Sequence, residues 1–587
     1  MKKGFVLAVI LMLLNFDAAF AQWDGSLKAD GAWNFLRNNS ESADFKLKYT
    51  GEKLYLGTNL NFGHSFLPSS QVTSILDTKK EMSEYYKGED KQMNPRKFNT
   101  GINFDFGYKF NPDNVIDATI GYGFNGKNDN STLKTERYNN SDRSTLFGTQ
   151  LDSAYSRSHK INGKVAYKRK FTGRPDARLE IMLSSNIAMN GDANRRITSG
   201  NFYPKTKNYA TYSNLNDFNT NLLASYDDIF KFDLTQLKMK AGLDYITNQD
   251  LDGYSAETFA NGQWRDSTSY RQSYLYNSHS TEPYVNLTFS VGKFDFFVKE
   301  RVQIYWHALI DKLEERRKPE DLVGLFNKFD TKNLLNAGIT YRLNERHRFT
   351  IDYSRSIARP DYKKLCPTLM IGGSEGEYVI GNPELMPEIM DKINMGYTYS
   401  RSIFVMNLDF NYRNKRNTAE KVIDLEKSKD ISDPLVKTIY TWINNKKQSS
   451  FGSKLDFKMN GKDVKADIWA GFNYDVYGNR EGFNKSDFNY ELGTSVNVFL
   501  NETTKLSSSL VYISAKQSAY NLKGEDVIAN LRISKTLFKG FDLYAEFKDI
   551  ADKDLYEETW NADMNYIKAS TTKLMQRALL LGIKYEF

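Results

Sequence analysis

Cysteine, proline and long apolar runs are all scarce in this chain. Cys366 is the only cysteine, so no disulfide can form within one chain. Only 12 of the 587 residues are proline. After residue 21 no segment approaches the roughly 18 to 20 apolar residues that a membrane helix needs. A small disulfide-stabilised domain and a bundle of membrane helices are therefore both excluded.

Patterns that would indicate metal, cofactor or nucleic-acid chemistry are also missing. No two of the five histidines have the spacing of metal ligands, and they are His64, His159, His279, His307 and His347. The formal charge of +8 comes from interspersed residues and not from a basic tract. No Gly-Lys-Ser/Thr phosphate loop occurs. We therefore predict no metal, no cofactor, no nucleic-acid partner and no enzyme activity.

The first 21 residues have the pattern of a secretory signal peptide. Lys2 and Lys3 precede an apolar run from Phe5 to Leu14, and Ala19-Phe20-Ala21 offers a small-x-small cleavage site. The sequence therefore predicts a signal peptide at residues 1–21 and an exported mature chain at residues 22–587.

Aromatic residues are abundant, with 37 tyrosines, 38 phenylalanines and 7 tryptophans. They favour strands and suit the aromatic girdles of membrane barrels. In residues 101–126 apolar and polar residues alternate on both sides of the turn-forming segment 111–114. This period of two predicts a β-hairpin with one apolar and one polar face. The apolar face would be a core in a soluble protein and would meet lipid in an outer membrane.

Short turn signals alternate with longer polar stretches along the chain. The stretches include residues 67–97, 127–158, 251–278, 358–387 and 554–572. The turn signals occur at Gly51, Pro112, Gly173, Asp227-Asp228, Gly292, Asn344, Arg401, Gly461, Glu502 and Lys539-Gly540. This asymmetry is typical of outer-membrane barrels. It predicts an all-β transmembrane antiparallel barrel of about 22 strands, with short periplasmic turns and long extracellular loops. A large secreted β-sandwich or solenoid is the alternative.

The carboxyl terminus has the pattern of a final barrel strand. Leu579, Leu581, Ile583, Tyr585 and Phe587 share one face. A terminal aromatic residue such as Phe587 resembles the signal by which bacterial barrels are recognised. It therefore predicts the barrel-assembly machinery as a partner during insertion.

Two motifs resemble the barrel of TonB-dependent receptors, especially a Bacteroidetes-type branch. They are SRSIARPDYKKLCP at residues 354–367 and GNPELMPE at residues 381–388. Residues 440–445 and 538–555 also resemble segments of that family. Arg359-Pro360 is interpreted as a strand end at the barrel rim, because proline lacks an amide donor. Gly381-Asn382-Pro383 is interpreted as the turn that starts the next strand.

The chain departs from that family at its amino terminus. The resemblance implies a plug domain of roughly a hundred or more residues before the barrel, but residues 26–35 and 46–49 already have the pattern of barrel strands. We therefore expect a barrel without a plug, in the outer membrane of a Gram-negative bacterium and surrounded by its lipid.

Two classes of function remain from the sequence. The first is a transport component, either a channel or a receptor whose plug is a separate chain. The second is a scaffold or accessory subunit that docks a surface lipoprotein or another barrel. The resemblance favours transport. The need to occlude a wide lumen favours inward-folded loops or a partner, and slightly favours the second class.

Overall fold

The chain forms one large β-sheet. A computed structural model describes residues 23–33, 39–66, 69–80, 83–139, 144–201, 208–232, 235–260, 263–266, 272–312, 324–367, 369–371, 377–424, 438–478, 484–517, 521–538, 540–561, 566–573 and 577–586. The first sixteen strands are β1 Trp23–Trp33, β2 Asn39–Thr50, β3 Leu54–Phe66, β4 Ser69–Lys80, β5 Ser83–Asn111, β6 Asn114–Asn139, β7 Ser144–Phe171, β8 Arg174–Ser199, β9 Asn208–Phe232, β10 Thr235–Ala260, β11 Gln263–Asp266, β12 Gln272–Val291, β13 Phe294–Asp311, β14 Gly324–Asn333, β15 Asn336–Arg342 and β16 His347–Ala358.

A single helical turn, α1 Tyr362–Leu365, follows β16. The remaining strands are β17 Leu369–Ile371, β18 Glu377–Ile380, β19 Glu388–Arg401, β20 Phe404–Ile423, β21 Thr438–Asn460, β22 Val464–Gly478, β23 Asn484–Phe499, β24 Thr504–Ile513, β25 Lys516–Gln517, β26 Asn521–Lys523, β27 Asp526–Phe538, β28 Phe541–Lys548, β29 Leu555–Asn561, β30 Tyr566–Lys573 and β31 Ala578–Glu586. Within the described ranges, no helix has the length and apolar character to cross a membrane.

Antiparallel pairing leads from the first strand to the last and back. Each strand on this path pairs with the next, in the order β1, β2, β3, β5, β6, β7, β8, β9, β10, β12, β13, β15, β16, β19, β20, β21, β22, β23, β24, β27, β28 and β31. β31 then pairs with β1, for example at Ile583 and Ala29. The ladder therefore returns to its starting strand.

The described residues form 31 strands, which differs from the predicted count of about 22. Nine strands lie off the path, namely β4, β11, β14, β17, β18, β25, β26, β29 and β30. Six of them, β4, β11, β17, β18, β29 and β30, come from stretches that the sequence analysis assigned to loops. Polar residues hid β4, β11, β29 and β30, because no apolar face marks a strand that meets water on both sides. β17 and β18 are apolar but only three and four residues long.

Residues 359–387 form a long connection between β16 and β19, as predicted, but the long loop predicted at residues 127–158 is wrong for the same reason as the missed polar strands. Residues 127–158 were expected to be a loop, yet β6 continues to Asn139 and β7 begins at Ser144. Backbone pairing continues where the alternation of side chains stops. The turn expected at Asp227-Asp228 is also wrong, because β9 continues to Phe232 and pairs there with Thr235. The Asp228 side chain instead accepts a hydrogen bond from the Tyr226 hydroxyl group at 2.8 Å.

The hairpin predicted at residues 101–126 is confirmed. β5 and β6 meet at Asn111 and Asn114, and Phe104 pairs with Ile120 across the ladder. Both side chains are exposed on the outer face, as is Phe106 at 42%. On the opposite face Asp105 accepts a hydrogen bond from Thr119 at 2.8 Å. The apolar side chains therefore point away from the enclosed face of the sheet.

Aromatic rings form bands on this outer face. One band crosses β3, β5, β6 and β7 through Phe62, Phe98, Phe124 and His159, with ring centroids 4.9 to 5.9 Å apart. Another crosses β13, β15, β16 and β19 through Phe294, Tyr341, Phe349 and Tyr397. Such bands are typical of the two edges of a membrane barrel.

The two terminal predictions are only partly within the described residues. Both residues 1–21 and Phe587 lie outside them. The preceding strand β31 is present, and the Tyr585 ring packs 6.2 Å from that of Phe541.

Placing a charge on the outer face is expected to destabilise the barrel. Phe106→Arg should lower the free energy of unfolding by about 2 to 4 kcal/mol, because the guanidinium group enters hydrocarbon. Asp105→Arg, one residue away on the inner face, should lose mainly the Thr119 hydrogen bond, worth about 1 kcal/mol. Urea unfolding in lipid vesicles measures both variants, and equal losses would contradict the assigned faces.

Glu300 is an exception on the outer face, and removing its charge is expected to stabilise the protein. It is the seventh residue of β13, midway between Phe294 and Trp306, and makes no hydrogen bond or ion pair with any described residue. Glu300→Leu should raise the free energy of unfolding by up to about 2 kcal/mol. The control Lys299→Leu, on the inner face, should give no such gain. A loss of stability in Glu300→Leu would indicate that a partner neutralises this carboxylate.

Candidate functional site

Three motifs from the sequence meet at the end of β16, and we call their assembly the motif cluster. It contains residues 359–367, 381–388 and 440–444. The Gly381 amide donates to the Cys366 carbonyl at 2.7 Å, and the Asn382 amide donates to the Lys364 carbonyl at 2.6 Å. The Asn382 side-chain amide donates to the Trp442 carbonyl at 2.9 Å. Backbone contacts thus join segments that are far apart in sequence.

Gly381 is required by a close approach of two backbones. A Cβ atom there would lie 2.3 Å from the Cys366 carbonyl oxygen and 2.6 Å from its amide nitrogen. Any other residue would push the two segments apart. Pro383 and Glu384 form the turn that follows, and β19 begins at Glu388.

Asn444 on β21 holds the second motif in place. Its side-chain oxygen accepts from the Met386 amide at 2.7 Å. Its side-chain nitrogen donates to the Met386 carbonyl at 2.9 Å and to the Asn417 carbonyl at 2.7 Å. Asn417 has a φ of 59°, a left-handed conformation that asparagine tolerates better than most residues. One buried amide side chain therefore fixes an irregular segment against two strands.

The helical turn α1 anchors the cluster to the enclosed face of the sheet. The Asp361 side chain caps it by accepting from the Lys364 amide at 3.1 Å. Its apolar residues are buried with side chains of β12, β13 and the second motif, and the set comprises Tyr274, Tyr276, Leu309, Tyr362, Leu365, Cys366 and Leu385. This packing is the main hydrophobic cluster among the described residues.

Arg359 directs its charge inward from the end of β16. Its Nε and Nη2 atoms donate to Gln303 Oε1 at 3.2 and 2.9 Å, and Nη1 donates to Asp330 Oδ2 at 3.2 Å. The guanidinium carbon lies 3.8 Å from the centre of the Tyr305 ring. Arg359 therefore does more than end a strand, because its planar group links β13 and β14 across the inner wall.

A polar network continues from Arg359 along the inner wall. Gln303 Nε2 donates to Glu282 Oε1 at 2.7 Å, and Arg301 donates to Glu282 Oε2 at 2.7 Å. Arg301 also lies 3.6 Å from Asp244 on β10. This inner network of Arg359, Gln303, Glu282, Arg301 and Asp244 extends over β10, β12, β13 and the motif cluster.

Acidic side chains lie beside α1, above the span expected to cross the bilayer. A barrel strand crosses in about 9 to 11 residues, and Asp250 is the sixteenth residue of β10. Asp250 is directly opposite Asp217 on β9. Burial, with the Asp217 charge as the next cause, raises the pKa of Asp250 to about 6. Burial also raises the pKa of the nearby Asp252 and of Tyr362.

The sequence analysis found the motifs but missed their partners. Gln303, Tyr305 and Asp330 occupy inward positions of β13 and β14, and nothing in the alternation distinguishes them from other inward polar residues. Among the residues described here, no group of three or more His, Cys, Asp or Glu side chains could hold a metal ion.

The acidic pair is expected to make stability depend on pH. The folded-state pKa of Asp250, about 6, exceeds its ordinary value of 3.8. The folded chain therefore binds the proton more tightly, so stability falls as the pH rises from about 4 through 6. Asp250→Asn should stabilise the protein at pH 8 and have little effect at pH 4. Urea unfolding at both values measures this, with the exposed Glu136→Gln as control. An equal gain at both values would contradict the assignment.

Solved structures resemble the whole described sheet. A mutant ferric enterobactin receptor from Pseudomonas aeruginosa is 13% identical, with a TM-score of 0.59, covering 97% of this chain and 81% of that one. The ferripyoverdine receptor of the same organism is 11% identical, with a TM-score of 0.61, covering 96% and 72%. The siderophore receptor PiuA from Acinetobacter baumannii is 11% identical, with a TM-score of 0.62, covering 96% and 82%. At these identities the likeness shows the fold.

A family model gives the identification. No curated protein matches this chain in sequence. The model described as "Outer membrane protein beta-barrel family" matches residues 179–585, which is more than half of the chain and includes the motif cluster. The chain therefore belongs to the outer membrane protein β-barrel family, and its location is the outer membrane.

Proposed function

We propose that this protein is the barrel of an outer-membrane transport system. In this proposal the 22 strands on the pairing path close into a membrane barrel, and a polar solute crosses through its lumen. The inner network from Arg359 to Asp244 is the observation that carries the proposal. Charged groups on the enclosed face, opposite an apolar outer face, suit a water-filled path.

We further propose that the residues described here form a barrel without a plug, which is passive when alone. β1 begins at Trp23 and pairs with both β2 and β31. The described residues up to Glu586 belong to the sheet or to its connections, so they include no separate plug. This chain aligns with 72 to 82% of the length of the similar receptors, so each receptor also has residues that this chain does not match. A separate plug-like chain would then supply any gate.

A scaffold function is the second candidate, and a specific feature favours it. One edge of β14 has no strand partner among the described residues, and an open edge is a place for another protein to bind. Such a subunit would dock a surface lipoprotein or another barrel.

Charge selectivity distinguishes transport from scaffolding. The purified protein, reconstituted into liposomes, should conduct ions without an energy source. Arg359→Gln should shift the reversal potential in a salt gradient toward cation selectivity, because an inward positive charge is lost. The matched control is Arg355→Gln, whose side chain lies on the outer face and binds Asp391 at 2.7 Å. It should leave the selectivity unchanged.

Two outcomes would contradict the transport proposal. A wild-type protein that conducts no ions in liposomes would favour the scaffold. Equal shifts in Arg359→Gln and Arg355→Gln would show that the inner network does not line the conducting path.

A further inference from the structure

The wall of the sheet opens between β14 and the end of β16, and we call this opening the seam. β14 and β15 continue one another along β13, with Asn333 opposite Val302 and Asn336 opposite Lys299. β15 also pairs with β16, and the last bond between the two strands joins the Arg355 amide to the Leu335 carbonyl at 2.9 Å. Beyond it, β16 pairs only with β19 and β14 pairs only with β13 within the described residues.

The seam exposes backbone groups on the edge of β14. The Leu334 amide donates to the Arg301 carbonyl on β13 at 2.8 Å. In an antiparallel pair successive residues point their backbone groups to opposite sides. Phe329, Thr331 and Asn333 therefore point their amides and carbonyls into the seam. These groups have the spacing that another extended backbone would match.

Two cavities fill the space along this edge. One, of about 300 Å³, lies against Lys328, Phe329, Pro360 and Met386. The other, of about 310 Å³, lies against Thr331, Asn333, Arg355 and Ile357. Both are lined by Lys332 and Ile389, so they are neighbours, and we call the pair the groove beside β14.

The lining of the groove differs between its two sides. Phe329 is 69% exposed on the outer side, where Ile357 also contributes apolar surface. Apart from Arg355, which lies on the outer face and binds Asp391, the cations that line the groove are Lys328, Lys332 and Arg359, against the carboxylates Asp330 and Glu384. An extended segment in the groove would therefore place apolar side chains outward and acidic side chains toward the lysines and Arg359.

We propose that the seam binds an extended segment of a partner protein, with alternating apolar and acidic residues, as an added strand on β14. The open edge is bounded by β14 on one side and the end of β16 on the other, so the occupant that fits it is an added strand. This inference concerns a partner and stands independently of solute transport.

A peptide of seven alternating valine and glutamate residues, labelled with a fluorophore, is the direct probe. Its anisotropy is measured with the full-length protein in detergent micelles. Thr331→Pro removes the amide that points into the seam and leaves the ladder with β13 intact, since that amide faces away from β13. It should weaken binding roughly three- to tenfold, as the loss of one hydrogen bond does. The matched control Thr331→Val, which keeps the amide, should bind like wild type.

A second comparison does not depend on the folding of any variant. The same peptide with methylated backbone nitrogens on one edge cannot pair with β14 through that edge. A peptide with lysine in place of glutamate reverses the charge. Both peptides should bind wild-type protein more weakly than the original peptide. A groove that binds apolar side chains without specificity would bind all three peptides equally.

Several results would overturn the proposal. The first is that the original peptide does not bind. The second is that peptides methylated on one edge or on the other both bind as tightly as the original peptide. The third is that Thr331→Pro and Thr331→Val bind the peptide with equal affinity. A purified protein that is dimeric, and becomes monomeric in Thr331→Pro, would show instead that the seam joins two copies of this chain.

Discussion

Hydrogen bonding of the backbone inside the bilayer is the constraint on which this structure depends. Hydrocarbon offers no partner to an amide or carbonyl group, so a spanning sheet must pair every strand on both edges. The pairing of β31 with β1 meets this need at the ends of the chain. The seam lies at the end of the membrane-spanning part of the sheet, where this requirement for pairing no longer applies. Its last bond is at Arg355, the ninth residue of β16, and a strand has crossed the bilayer after about 9 to 11 residues.

Beyond the end of the ladder, the motif cluster supplies partners for backbone groups that no neighbouring strand pairs. Gly381 permits two backbones to approach, and Asn444 supplies three hydrogen bonds from one side chain, two to Met386 in the irregular segment and one to Asn417, which is skipped in the ladder between β20 and β21. Buried backbone groups need such partners, because an unmade hydrogen bond costs about 1 to 3 kcal/mol. Glycine and asparagine therefore recur in these motifs for a structural reason: they complete backbone pairing where regular strands diverge.

Alternation predicted the strands only where lipid imposes it. The hairpin around Asn111 and the final strand were visible in the sequence because one face is apolar. Above the bilayer both faces meet water, so β6 and β7 continue through residues that looked like a loop. The motifs could be recognised in the sequence, but Gln303 and Asp330 could not be recognised as partners of Arg359. Strand register, and not sequence spacing, brings them next to it. Long-range register follows from the whole ladder, and no short pattern contains it.

The groove at the seam and the inner network share Arg359, and this residue connects the outer surface with the enclosed face. Lys332 and Arg359 line the groove, and both bind Asp330, at 2.7 and 3.2 Å. Arg359 also holds Gln303, which donates to Glu282 deeper in the wall. An acidic strand in the seam would compete with Asp330 for these cations. It would weaken the ion pairs that orient Arg359 over Tyr305 and would change the charge that a solute in the lumen meets. In the two proposals together, docking at the seam and passage through the lumen would be coupled through Arg359, so a scaffold that binds at the seam would also act on the channel.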